Sequence, residues 1–176
     1  MRQIILLTIA ALSLTVPGRV TGEEPIRGKG LNDPLLDKLV GDWNVERKFP
    51  SGRIAKNVVH IEWVLQHQFV ELHYRDVATP PAYEAIVLIG YDSVNKSYVC
   101  HWTDNFGADN SAEGLAPRDE GSNAIEFKFT FHDGGELTNR FAFDPRNRGW
   151  ISTIRQTEKG EWKLFCEDTF TRANAR

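Results

Sequence analysis

Cysteine is scarce in this chain: its 176 residues contain only Cys100 and Cys166. Two cysteines form at most one bridge, which excludes a small fold held together by several disulfides. The folded chain must therefore rest on an apolar core, and 41% hydrophobic residues in a chain of this length are enough to build one.

The sequence also lacks a hydrophobic run long enough to cross a membrane. Its longest uncharged apolar run, from Ile4 to Val16, is shorter than the roughly 20 residues that a spanning helix needs. Arg2 precedes this run and small residues follow it, a pattern typical of a secretory signal peptide. We therefore expect residues 1–22 to be removed on export, leaving a periplasmic or secreted protein with no membrane span.

Clusters of basic residues are absent as well. The formal net charge is −3, and it becomes −5 without Arg2 and Arg19, because the signal segment contains no acids. Mild acidity without basic runs disfavours nucleic acid and anionic membrane surfaces as partners. The length predicts one domain over residues 31–172, between a linker at 23–30 and a tail at 173–176.

What the sequence does contain begins with the signals of one short helix in the segment LNDPLLDKLVG. Asp33 is a suitable cap, Pro34 fits the first helical position, and Gly41 is suited to end the turn. Four apolar residues form one stripe: Leu35, Leu36, Leu39 and Val40. We predict a short capping helix over residues 34–40.

Alternating apolar and polar residues dominate the rest of the chain. In AIEFKFTF, for example, Ile125, Phe127 and Phe129 share one face. Clusters of Gly, Pro, Asn and Asp separate such runs, which predicts strands joined by short connections. The ten predicted strands cover residues 43–49, 53–65, 68–78, 83–91, 96–103, 109–115, 123–131, 136–143, 149–156 and 161–171.

A long meander with one apolar face has exposed edges unless it closes on itself. Closure removes the edges and buries the apolar face, so we predict an all-β, up-and-down antiparallel barrel of about ten strands. Its lumen should be wide enough for a ligand, because barrel diameter grows with strand number. Cys100 and Cys166 would lie on nearly opposite walls, beyond the Cα separation of about 4.4–6.8 Å that a disulfide needs, which predicts two free, mostly buried thiols.

Three stretches of the chain resemble known barrel proteins. LLDKLVGDW places a helix before Gly-x-Trp at Trp43, GYDSVNKSYVCHWTDNFG follows, and EDTFTR ends at Arg172. Together they resemble the calycin superfamily of lipocalins, fatty-acid-binding proteins and nitrobindins, and more narrowly a bacterial family of secreted lipocalin-like barrels of unknown function. The resemblance covers Leu31 to Arg172. It implies that Trp43 plugs the closed end of the barrel and that Arg172 lies across its indole ring.

The five histidines do not predict a metal or haem site. His60, His67 and His132 fall on a polar face or in turns, His73 has the outward phase of its strand, and His101 alone adjoins an aromatic cluster. No histidine pairs with another ligand at zinc-like spacing. Haem is disfavoured because GDWNVERK lacks the later glycine of nitrobindins and no histidine follows His132. We expect no metal and no cofactor.

The stretch YVCHWTDNFGADNSAEG has two open interpretations. Trp102 and Asp104 would offer an aromatic face and an acceptor to a ligand at the barrel mouth, or Asp104 would form an Asx turn that ends its strand. Asn139 and Asp168 pose a similar choice. Asn139 alternates with Phe141, and Asp168 with Leu164 and Cys166, so both polar side chains point into the lumen unless a bulge reverses the phase.

These features favour a binding protein without catalysis. We expect a small hydrophobic or amphipathic molecule in the lumen, contacted by Trp63, Tyr74, Trp102, Asp104, Asn139, Phe141 and Asp168. The first alternative is an enzyme of isomerase, cyclase or hydratase type on a lipophilic substrate, using Asp104 or Asp168 as acid or base. The second is a filled barrel whose outer face, including Tyr83, Val87 and Ile89, docks a partner; a cavity below about 300 Å³ would favour it.

Overall fold

The structure is a computed structural model that describes residues 29–173. The predicted signal peptide, most of the linker and most of the tail lie outside the described residues. One helical turn, α1 (Pro34–Asp37), precedes ten strands. The strands are β1 (Gly41–Lys48), β2 (Ile54–Val64), β3 (Phe69–Asp76), β4 (Glu84–Asp92), β5 (Ser97–Asp104), β6 (Ala112–Pro117), β7 (Ala124–Thr130), β8 (Glu136–Asp144), β9 (Gly149–Glu158) and β10 (Glu161–Arg172).

The ten strands form a closed antiparallel barrel in chain order, which confirms the predicted fold. Closure occurs between β1 and β10, where Trp43 lies opposite Arg172 and Lys48 opposite Glu167. Every strand therefore has a hydrogen-bonded neighbour on both sides, and the sheet has no free edge.

The period-2 alternation decides which side chains enter the barrel. In β7, Ile125, Phe127 and Phe129 are buried while the residues between them are exposed. Burial of these large apolar side chains away from water is the main stabilising term of such a fold. Cys100 and Cys166 are also buried and unpaired, and burial raises the pKa of the Cys166 thiol to about 12.

The first helix is shorter than predicted. The side chain of Asp33 accepts hydrogen bonds from the N–H groups of Leu35 and Leu36, as a helix cap should. The helix nevertheless ends at Asp37, and the side chains of Trp150, Trp43 and Arg172 bond the carbonyl groups of Lys38, Leu39 and Val40. Each of these carbonyl groups therefore has a hydrogen-bond donor without a further helical turn. No helix in residues 29–173 has the length and apolar character to cross a membrane.

Two strands depart from their predicted limits or phase. The strand predicted at 109–115 is β6, and a 3-10 turn at Ala108–Asn110 occupies its predicted start, following Gly107 at φ +98°. In β10 the register shifts between Leu164 and Cys166. Leu164 is therefore exposed, and its predicted alternation with Asp168 on one inward face is wrong.

Candidate functional site

The closed end of the barrel is plugged by the indole of Trp43. The guanidinium carbon of Arg172 lies 3.9 Å from the centroid of that ring. Its Nη1 donates to the carbonyl oxygen of Val40 at 2.6 Å and its Nη2 to that of Lys38 at 3.0 Å. The arginine thus joins the last strand to the first strand and to the turn after α1.

Gly41 makes this arrangement possible. Its backbone has φ +128°, and a Cβ at this position would collide with Nη1 of Arg172. Two residues after Gly41, the indole Nε1 of Trp43 donates to the carbonyl oxygen of Leu39 at 2.6 Å. The Gly-x-Trp sequence and the terminal arginine therefore form one structural unit.

Three further side chains hold α1 against the same end. Tyr98 donates to Asp33 at 2.6 Å, Trp150 to the carbonyl of Lys38 at 3.2 Å, and Trp63 to the Asp37 carboxylate at 2.9 Å. The Trp63 ring also stacks on His67, with centroids 4.1 Å apart. The sequence predicts Trp63 in the ligand site, but the residue lies here, because the inward phase of β2 ends at the closed end.

A cavity of about 380 Å³ opens at the opposite end of the barrel. This volume exceeds the limit of about 300 Å³ below which a filled barrel would be favoured. The outer docking face predicted for that alternative is also wrong, because its residues lie inside the barrel or line the cavity. Val87 and Ile89 are fully buried on the inward side of β4, and Tyr83 lines the cavity.

One side of the cavity is an aromatic wall, which we define as Tyr83, Trp102, Phe106 and Phe129. The indole Nε1 of Trp102 donates to the Tyr83 hydroxyl at 3.2 Å, and the rings of Tyr83 and Phe106 lie 6.0 Å apart. Burial raises the pKa of Tyr83 to about 12, so its hydroxyl is protonated at neutral pH. The wall offers π faces and one hydroxyl group to a ligand.

Buried polar side chains form a second group inside the barrel, and the Arg47 guanidinium carbon lies 5.3 Å from the centroid of the Tyr83 ring. Besides Asp33 at α1, the buried polar or charged residues between positions 29 and 173 are Asn139, Ser152, Asp168, Arg47 and Asn57. They lie on β8, β9, β10, β1 and β2, which are consecutive neighbours around the barrel. We call these five residues the polar belt. Three of them, Arg47, Asn57 and Asn139, line the cavity directly.

The centre of the polar belt is a buried ion pair. Arg47 donates from Nε to Oδ1 of Asp168 and from Nη2 to Oδ2, both at 2.7 Å. Burial by itself would lower the pKa of Arg47, but the hydrogen bonds and charge of Asp168 outweigh it and raise that pKa. Two parallel charge-assisted bonds are the strongest geometry for such a pair. Both groups are charged, and together they add no net charge to the barrel.

The two asparagines of the polar belt differ in their hydrogen bonding. Oδ1 of Asn139 accepts from the Ser152 hydroxyl at 2.7 Å. Oδ1 of Asn57 is buried and has no hydrogen-bond partner among the described residues. A buried acceptor without a partner costs about 1–3 kcal/mol, so a donor group that reached this oxygen would relieve that cost.

The structure separates the seven predicted ligand residues into three groups. Trp102, Asp104 and Asn139 line the cavity. Tyr74, Phe141 and Asp168 are buried inside the barrel but are not part of the cavity lining, and Trp63 is at the closed end. The Tyr74 hydroxyl also has no partner among residues 29–173, and burial raises its pKa well above the usual value.

Asp104 forms the Asx turn of the second interpretation, and it also lies in the cavity lining. Its Oδ1 accepts from the backbone N–H of Phe106 at 3.0 Å, as an Asx turn requires, and the residue also lines the cavity. Asp168 has both oxygens bonded to Arg47. Of the two carboxylates, Asp168 therefore has both oxygens paired, whereas the bond of Asp104 involves Oδ1 only.

Sequence reasoning missed Arg47 and Asn57, although their phase was available. Arg47 follows Trp43 and Val45 at intervals of two, and Asn57 precedes Val59 and Ile61 in the same way. Both side chains therefore share the inward face of their strands. A cation or an amide in the inward phase of an otherwise apolar strand face is the signal that could have identified these two residues.

The histidines lie on the outer surface or in turns. His60 contacts Asp42 at 2.7 Å and His73 contacts Glu84 at 3.0 Å, both near solvent. Within the part of the chain that the structure describes, no group of three or more His, Cys, Asp or Glu side chains is arranged to hold a metal ion.

Comparisons with solved structures return the same architecture. Rv2717c from M. tuberculosis is 13% identical with a TM-score of 0.53, and the alignment covers 81% of this chain and 99% of that one. The S-type phycobiliprotein lyase CPES from Guillardia theta is 10% identical with a TM-score of 0.51, covering 80% of this chain and 92% of that one. At such identities the likeness shows the fold alone. No curated protein matches the chain.

A comparison with protein families gives a more specific result. The family described as protein of unknown function (DUF1579) matches residues 32–172. The match extends from the residue before the Asp33 cap to the end of β10, and it includes both the Trp43–Arg172 unit and the polar belt. The chain therefore belongs to the DUF1579 family.

Proposed function

We propose that this protein binds one small amphipathic molecule in the cavity at the open end of the barrel. The apolar part of the ligand lies against the aromatic wall, and its polar part meets the polar belt. The observation that carries this proposal is the cavity of about 380 Å³, whose lining combines aromatic rings with the buried polar residues Arg47, Asn57 and Asn139.

The composition of the cavity supports the same conclusion. Small-molecule sites are commonly concave, about 300–1,000 Å³ in volume, and largely apolar with a few fixed polar groups. Here the fixed groups are Arg47, Asn57 and Asn139, and the first and last are held in place by Asp168 and Ser152. Polar groups that are already held lose little conformational entropy when a ligand binds.

We extend the proposal to the calycin relationship and to export. The closed barrel, the preceding helical turn and the Trp43–Arg172 contact support a calycin origin. The phycobiliprotein lyase has a similar barrel, which is consistent with a small-molecule partner here. The signal-like pattern of residues 1–22 supports a periplasmic or secreted location.

The test is a titration with N-phenyl-1-naphthylamine, a neutral fluorescent probe that is small enough for the cavity. We expect saturable binding of one probe per chain. Ala112→Trp, at a position on the cavity wall, should fill the cavity and abolish the signal. Ala142→Trp is the matched control, because Ala142 lies between the inward-facing Phe141 and the next inward position and so points outward.

Circular dichroism and thermal unfolding must show that both variants fold. Binding to the wild type and to Ala142→Trp, together with its loss in Ala112→Trp, supports the proposal. Absence of saturable binding to the folded wild type, or equal binding by both variants, contradicts it.

A further inference from the structure

We infer that the cavity selects a ligand whose polar end is uncharged and of carboxamide type, and that it discriminates against a carboxylate of the same shape. This inference rests on the proposed function, and it names the class of head group that the site accepts. It follows from the charge inside the cavity and from the hydrogen-bonding capacity of the polar belt.

The charge of the site opposes an anion. Asp168 neutralises Arg47 through two hydrogen bonds of 2.7 Å, so the only cation within the polar belt is already paired. The remaining charged residues of the cavity lining are Arg53, Asp76 and Asp104. The site as a whole therefore carries one formal negative charge, and a bound carboxylate would add a second charge of the same sign.

Arg53 is not placed to compensate for this charge. Its guanidinium carbon lies 3.5 Å from the centroid of the Phe49 ring, and the residue is exposed. Water and ions screen the charge of a cation at an exposed rim, so its attraction to a buried anion is weak. A carboxylate at the polar belt would thus lose its hydration without gaining an unpaired cation.

The hydrogen-bonding groups of the polar belt complement an amide. Oδ1 of Asn57 needs a donor, since it is buried without a partner among the described residues. Oδ1 of Asn139 is taken by the Ser152 hydroxyl, which leaves the Nδ2 group of Asn139 as the donor. A carboxamide supplies both an N–H and a C=O group, whereas an ionised carboxylate only accepts.

The test uses two matched compounds, 1-naphthamide and 1-naphthoate, which share one aromatic body and differ in the head group. Each displaces N-phenyl-1-naphthylamine from the wild-type protein at pH 7. We expect 1-naphthamide to displace the probe at a concentration at least about tenfold lower than 1-naphthoate requires.

Asn57→Leu sharpens the test. The substitution removes the unpartnered acceptor and should weaken 1-naphthamide about tenfold while leaving 1-naphthoate unchanged. Asn44→Leu, at an exposed position of β1, is the matched control. The wild-type comparison of the two compounds stands even if Asn57→Leu does not fold.

The outcomes separate the two proposals. Preference for the amide that disappears in Asn57→Leu supports the inference. Equal displacement, preference for 1-naphthoate, or no displacement by either compound overturns the inference while the probe still reports a ligand site. Failure of N-phenyl-1-naphthylamine to bind at all would instead overturn the proposed function.

Discussion

The two ends of the barrel use similar residues to opposite effect. At the closed end, the indole N–H groups of Trp43, Trp63 and Trp150 all donate to acceptors on α1 or the turn that follows it. At the open end, Trp102 donates to a cavity-lining hydroxyl, and Asn57 keeps an acceptor without a partner among the described residues. Paired indole N–H groups hold α1 to the closed end, whereas the residues of the open end surround a cavity.

The two arginines repeat this contrast. Arg172 is exposed, stacks on an indole and donates to backbone carbonyls, so its contribution is structural. Arg47 is buried at the cavity and paired with a carboxylate. Four sets of variants test this difference between the ends.

The largest effect is expected for Trp43→Ala. The substitution empties the closed end and removes the bond to Leu39 and the surface on which Arg172 stacks. We expect the free energy of unfolding in urea to fall by about 4 kcal/mol. Trp162→Ala is the control, because Trp162 is largely exposed in β10 and should cost less than about 1 kcal/mol. Equal costs for the two variants would contradict the structural role of the closed end.

The next effect is expected for Asp168→Asn. Removing one partner leaves the buried Arg47 charge uncompensated, so the free energy of unfolding should fall by about 3 kcal/mol. The double variant Arg47→Met/Asp168→Leu removes both charges and should return to within about 1 kcal/mol of the wild type. A double-mutant cycle measures this coupling, and additive losses would show that the pair is not coupled as described.

A smaller effect is expected for Gly41→Ala. A Cβ there meets Arg172 at a backbone φ of +128°, so the free energy of unfolding should fall by about 2 kcal/mol. Gly52→Ala, in the turn at the open end, has φ +83° and nothing within 4 Å of the added Cβ. For Gly52→Ala the free energy of unfolding should fall only by the backbone strain, about 1 kcal/mol. A cost at Gly52 as large as that at Gly41 would remove the special role assigned to the arginine contact.

The smallest effect concerns His60. Its hydrogen bond to Asp42 raises its pKa, so the protonated form stabilises the fold below the unfolded pKa of about 6.5. This contribution is lost as the pH rises through the folded pKa. Both side chains are exposed, so we expect less than about 0.5 kcal/mol. Urea unfolding at pH 5.5 and 8.5 should show a weaker pH dependence for both His60→Gln and Asp42→Asn; an unchanged dependence would count against the contact.

Much of the fold was accessible from the sequence because two local rules determine it. Period-2 alternation sets which residues face inward, and turn residues set where the strands end. These rules correctly placed Asn139 and Asp168 inside the barrel. They failed at Leu164, where a bulge in β10 reverses the phase, although three consecutive apolar residues, Leu164 to Cys166, interrupt the alternation there.

The site was less accessible because it depends on contacts between distant strands. Inward phase alone does not say which end of the barrel a residue occupies, and this led to the assignment of Trp63 to the ligand site. The pairing of Arg47 with Asp168 joins residues 121 positions apart. Whether the lumen is filled or open depends on how ten strands pack together, which no single segment encodes.

The most direct test of the binding account is the indole N–H region of a ¹H–¹⁵N NMR spectrum during titration with N-phenyl-1-naphthylamine. The chain has five tryptophans, of which Trp102 alone lines the cavity and Trp43, Trp63 and Trp150 hold the closed end. The account predicts that the Trp102 signal shifts and saturates while the three closed-end signals stay in place. Saturable shifts at the closed end with Trp102 unmoved would contradict it.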